Sequence, residues 1–178
     1  YTYKIVNDRP LQFDLYLPPG EGPFPVAVYA HGGAFVRGNR SMVTLFHPLL
    51  DHFLGKGIAV VSIDYRLFED GVYFPDNIFD VSDALCYLKQ HESLLTLDTS
   101  QLLVWGDSAG AALMLAAALD RHRQFAGDLG DDLPTIKGVI ALYPPTNFLL
   151  FKFIQTWLAH LKFYEGSREE WRELMVKC

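Results

Sequence analysis

Leu102-Leu-Val-Trp-Gly-Asp-Ser-Ala-Gly110 decides how this chain is read: a short apolar strand runs into Gly-x-Ser-x-Gly, and the Ala/Leu-rich run 111–119 continues from it as a helix. In that strand-turn-helix setting a serine is held on a sharp, strained elbow with its hydroxyl exposed. Glycines two before and two after the serine are wanted where strand and helix backbones come too close for a Cβ, and the serine takes a sparsely allowed conformation. Ser108 also opens the helix, where free N–H groups and the macrodipole favour developing negative charge. It is therefore a candidate nucleophile; the bland alternative is a serine N-cap in an ordinary strand-to-helix turn.

The flanking sequence repeats the strand-helix alternation. Upstream, residues 3–7 and 11–17 alternate apolar and polar side chains around Asp8-Arg9-Pro10, as a peripheral hairpin does. Residues 25–30 and 58–63 are continuously apolar apart from Ser62, the pattern of parallel strands covered on both faces, and 41–56 between them carries helical spacing ending at Gly55 and Gly57. A helix is expected over 77–91, the strand at 101–105, a helix over 109–123 and a strand over 136–143. The expected class is α/β: a mostly parallel central sheet with helices on both faces and right-handed crossovers. Residues 127–134 read as a surface loop, and Ser167-Arg-Glu-Glu170 as the start of a last amphipathic helix.

His31-Gly-Gly-Ala34 stands where the strand ending at Ala30 leaves the carboxyl edge of the sheet, which is where α/β sites form. Two glycines there let bare N–H groups turn toward a substrate oxygen, as an oxyanion hole requires, while His31 is expected to orient the loop rather than act as a base. The alternative is a glycine turn with a structural histidine.

Composition narrows the function. With 178 residues, 50% of them hydrophobic and 20% charged, the chain suits one packed domain over 1–178 and excludes disorder. A net charge of −6 without a Lys/Arg cluster argues against nucleic acid or an anionic membrane surface. Cys86 and Cys178 make neither a disulfide framework nor a zinc-ligand spacing, so no metal is expected and a reducing, cytoplasmic setting fits. The longest apolar run, 111–119, falls far short of the roughly 20 residues of a membrane span. The start is no signal peptide, yet the chain begins without Met, which suggests a trimmed or fragmentary sequence.

Taken together, His31-Gly-Gly, Gly106-Asp-Ser-Ala-Gly110, Asp64-Tyr-Arg-Leu67 and Phe74-Pro75 followed by Asp80 resemble the hormone-sensitive-lipase-like branch of the α/β-hydrolase fold, over about residues 10–148. The resemblance implies Ser108 as nucleophile, an oxyanion hole from the N–H groups of Gly32, Gly33 and Ala109, and Asp107 as a supporting residue of the elbow. It implies a structural role for Asp64-Tyr-Arg-Leu67, whose charges brace the sheet edge, and no cofactor. Ala34 stands where the family often has glycine.

The family's acid and histidine follow the serine on two further strands, and this chain stops first, so it is expected to be truncated before the last strands and its triad is unassigned beyond Ser108. On a helix running to residue 123, His122 would lie roughly 20 Å from Ser108, out of reach. His160 falls in 148–178, expected as cap or crossover helices, and Asp128, Asp131 and Asp132 as solvated loop charges. The expected activity is hydrolysis of a small carboxylic ester with an apolar acyl group; Phe148, Phe151, Phe153 and Trp157 suit either a lid over that group or a core. Two alternatives stay open: a non-catalytic member that binds a small molecule or partner, and serine chemistry on an amide, lactone or carbamate. Oligomeric state is open as well.

Overall fold

The computed structural model describes residues 1–72, 75–120 and 122–146. Phe74, the expected cap or crossover at 148–178 with His160 and its aromatic residues, and the amphipathic helix from Ser167 lie outside the described residues.

Six strands form one sheet: β1 (Thr2–Val6), β2 (Arg9–Tyr16), β3 (Phe24–Ala30), β4 (Ala59–Ile63), β5 (Leu97–Asp107) and β6 (Ile136–Leu142), in the spatial order β1-β2-β4-β3-β5-β6. The β1–β2 and β2–β4 pairs are antiparallel and every other pair is parallel, as expected of a peripheral hairpin on a parallel sheet.

Strand periodicity sorts the core into two layers. Val26, Val28, Ala30, Val61, Ile63, Leu102 and Val104 face one side, where Ile78, Val81 and Leu85 of α2 (Asp76–Gln90) and Leu113 and Met114 of α4 (Ser108–Leu119) cover them. Ala27, Tyr29, Val60 and Trp105 face the other, under Leu50 and Phe53 of α1 (His47–Gly55). Continuous apolar strands follow from this double cover, and each buried Leu or Phe contributes about 1.5–3 kcal/mol. No described helix is long and apolar enough to cross a membrane.

The helix expected over 41–56 divides into a 3-10 helix at Arg40–Phe46 and α1, with Pro48 in the first turn of α1. There the proline's missing N–H costs nothing, whereas inside a continuous helix it would delete a bond and clash. The strand expected at 101–105 is longer at both ends, because Leu97 and Asp98 already pair with Phe24 and Pro25 before a register shift. A short helix, α3 (Glu92–Leu95), joins α2 to β5. The helix expected to reach 123 stops at Leu119, and the Asp120 carboxylate accepts from the N–H groups of Gln124 and Phe125, turning the chain away.

Candidate active site

The parallel register sets Ala30 of β3 beside Gly106 of β5, so the His31 loop and the serine elbow leave the same edge of the sheet side by side. Ser108 has φ +46°, a left-handed conformation rare for a side chain of its type, and is half-buried at the first position of α4. Both elbow glycines are sterically required. A Cβ on Gly106 would stand 2.7 Å from the Ala30 carbonyl oxygen, and one on Gly110 would stand 2.1 Å from that same atom.

Gly33 has φ +119°, and a Cβ there would meet the Arg37 carbonyl oxygen at 1.9 Å, while the Gly33 carbonyl accepts from the N–H groups of Val36 and Arg37. Ala34 and Phe35 continue the turn at φ +55° and +62°. The Gly33 and Ala34 N–H groups make no hydrogen bond among the described residues. The Gly32 N–H donates to Asp107 Oδ1 at 2.9 Å and is thereby engaged. In this arrangement that N–H faces a carboxylate and not the open side of the loop.

Asp107 is buried, and the same Oδ1 accepts from the Tyr29 hydroxyl at 2.6 Å. Burial, with the neighbouring carboxylate, pushes the Tyr29 phenol far above its ordinary range, so it remains a donor. Tyr143, just past β6, turns its hydroxyl toward Oδ2 at 3.5 Å.

His31 is fully buried, and its Nδ1 lies 2.7 Å from the Gly32 carbonyl. A carbonyl only accepts, so Nδ1 carries the proton. Burial pushes the imidazole below its ordinary pKa and keeps it neutral. Its ring stacks on Tyr65 at 4.5 Å, and the Tyr65 hydroxyl donates to the His31 carbonyl at 2.7 Å. Gly38 closes the pocket, since a Cβ there would lie 2.4 Å from Nδ1. His31 is thus held between the Gly32 carbonyl and the Tyr65 ring.

Asp64 and Arg66 hold the scaffold around this pocket. Asp64 accepts from Arg40 at both the backbone N–H (2.8 Å) and the guanidinium (2.6 Å), and Arg40 also reaches Asp14 at 2.8 Å. The Arg66 Nε donates to both oxygens of Asp80, at 3.0 and 2.8 Å. Of the loop aspartates, Asp128 is largely exposed yet pairs with Lys4 at 2.7 Å, and Asp132 pairs with Lys89 at 2.6 Å.

Tyr29, Gly38 and Arg40 were not singled out from sequence. Only Tyr29 offered a signal, two residues before the His-Gly-Gly loop on the same strand. Among the described residues Ser108 makes no side-chain hydrogen bond, and no group of three or more His, Cys, Asp or Glu could hold a metal ion. A cleft of about 470 Å³ beside α4, lined by Ala112, Leu115, Leu119, Phe125 and Pro145, contains no residue of the elbow.

A parallel sheet that sets a strained serine elbow beside a glycine loop defines the α/β-hydrolase fold. The chain belongs to the BD-FAE family, whose model matches residues 13–171. It is similar to esterase LipI of Mycobacterium tuberculosis, with 33% identity over 77% of this chain and 41% of that protein. It is also 32% identical to a probable isoprenylcysteine alpha-carbonyl methylesterase of Oryza sativa, over 66% of this chain and 28% of that one. The fold matches Thermogutta terrifontis esterase 2 phosphonylated by cyclosarin, with a TM-score of 0.71 and 23% identity over 81% of this chain and 55% of that one. The chain therefore spans about half the length of these relatives or less.

Proposed function

We propose that this chain carries the nucleophile and oxyanion hole of a serine hydrolase acting on small carboxylic esters, with an apolar acyl group as the expected substrate. Ser108 Oγ attacks the ester carbonyl, the tetrahedral oxyanion is met by backbone N–H groups, and loss of the alcohol leaves an acyl-enzyme that water hydrolyses. The donors are Gly33, Ala109 at the start of α4, and Ala34 in place of the engaged Gly32. No cofactor enters this chemistry. The single observation that carries the proposal is the left-handed φ of Ser108 between two glycines that admit no Cβ, since such strain is kept where function needs it. The esterase names of the relatives support the substrate class.

The test is kcat for p-nitrophenyl acetate in the protein as its gene encodes it. Ser108→Ala should lower kcat by about 10⁶ with the fold unchanged by circular dichroism; activity within about tenfold of the wild type would remove Ser108 from the mechanism. One observation favours a non-catalytic, ligand-binding protein instead: no described histidine bonds Ser108. The same measurement separates the two, because such a protein has no Ser108-dependent turnover to lose.

A further inference from the structure

Three backbone or side-chain groups converge on one carboxylate beneath the elbow. Asp107 Oδ1 accepts from the Tyr29 hydroxyl at 2.6 Å and from the Gly32 N–H at 2.9 Å, and the Tyr143 hydroxyl stands 3.5 Å from Oδ2. Asp107 is the residue immediately before Ser108, and Gly32 is immediately before Gly33. A single side chain therefore ties the nucleophile's strand to the loop that carries the oxyanion donors. The fit is close: a Cβ on Gly32 would fall 2.3 Å from Asp107 Oδ2. Tyr29 is itself rigid, with no exposure and its ring 4.3 Å from that of Trp105, its register partner across β3 and β5.

We propose that Asp107, its carboxylate oriented by the Tyr29 hydroxyl, is a positioning strut that fixes the distance between Ser108 and the oxyanion loop, so that the Gly33 and Ala34 N–H groups are aimed before substrate arrives. The inference rests on the proposed Ser108 mechanism. Oxyanion donors are effective because they need no reorganisation at the moment of reaction, and a loop with three successive positive φ values at residues 33–35 needs an external anchor to hold one geometry. Neither Tyr29 nor Asp107 touches substrate or the reacting atoms in this scheme. Their removal should weaken transition-state binding and leave ground-state binding nearly unchanged.

The experiment compares Tyr29→Phe, Asp107→Asn and Asp107→Ala by kcat, KM and the Ki of an aryl trifluoromethyl ketone, whose adduct places an oxyanion in the hole. Asp107→Ala should lower kcat about 10²-fold, and Tyr29→Phe about tenfold, with KM changed by less than about threefold. Asp107→Asn keeps an acceptor for the Gly32 N–H and should recover most of what alanine loses. In each variant Ki should rise by the factor that kcat/KM falls. The strut is overturned if Tyr29→Phe turns over within about twofold of the wild type, if Asp107→Asn is as impaired as Asp107→Ala, or if Ki stays constant while kcat falls. Should Asp107→Ala not fold, Tyr29→Phe and Asp107→Asn still decide the matter. Full activity of Ser108→Ala would instead remove the mechanism on which the strut depends, so the two failures are distinct.

Discussion

Ser108 holds a backbone conformation that costs a non-glycine residue about 1–2 kcal/mol, and its neighbours leave it no alternative. Ser108→Gly should therefore be more stable than Ser108→Ala by about 1 kcal/mol in urea denaturation, with both variants inactive. Equal stability would mean that the elbow is unstrained. At Gly33 the positive φ and the contact with Arg37 forbid a side chain, so Gly33→Val should lower kcat by about 10² or more through loss of an aimed donor; near-normal turnover in the folded variant would reduce the loop to a turn. His31 gives a pH effect of definite sign. Its folded pKa lies below the ordinary 6.5, so the unfolded chain binds a proton that the folded chain refuses, and this contribution to stability is lost as pH falls from above 6.5 through the lowered folded value. His31→Gln should flatten the loss of stability measured between about pH 7.5 and about pH 5.5, and an unchanged slope would place the titration elsewhere. The elbow was legible because Gly-x-Ser-x-Gly between an apolar strand and a helix reports backbone geometry directly. The engagement of Gly32 was not legible, because its partner Asp107 is 75 residues away and meets it only through the register of β3 on β5.

Among elements, one ammonium joins β1 to α2 and to the loop at 127–134. Lys4 Nζ lies 2.6 Å from Asp83, 3.5 Å from Asp80 and 2.7 Å from Asp128, and the first two carboxylates have no exposure at all. Asp83 retains the Leu129 N–H and Asp80 retains Arg66, but removing the shared cation leaves two buried negative charges close together. Lys4→Met should destabilise the protein by about 3 kcal/mol in chemical denaturation; a change below about 0.5 kcal/mol would class the cluster with exposed ion pairs. Hydrophobic period marked the strands and helices that frame this cluster, yet Lys4 itself read as a polar residue of an edge strand. Its burial depends on a loop more than 120 positions downstream in the sequence. The split at Pro48 was open to reading from proline chemistry, whereas the early start of β5 was hidden behind the polar Asp98-Thr-Ser100 stretch.

In the molecule as a whole, β6 pairs on one side only among the described residues, and Val139, Ile140 and Tyr143 are exposed there. A strand edge of this length and apolarity is a template for pairing with another chain. The 178-residue polypeptide expressed by itself should therefore self-associate in sedimentation velocity, and Ile140→Lys should shift it toward monomer; a monomer at about 100 μM would show that the edge is covered. The α/β-hydrolase fold could be read from sequence because its motifs lie in the first 110 residues, but the base that the proposed mechanism needs beside Ser108 has no counterpart among the described histidines. Ser108 as nucleophile is tested by treating the gene product with a fluorophosphonate and locating the adduct by peptide mass spectrometry. The expected result is one adduct, on the peptide containing Ser108, lost together with ester hydrolysis in Ser108→Ala. Hydrolysis that persists in that variant, or an active wild-type protein whose adduct sits on another residue, would contradict it.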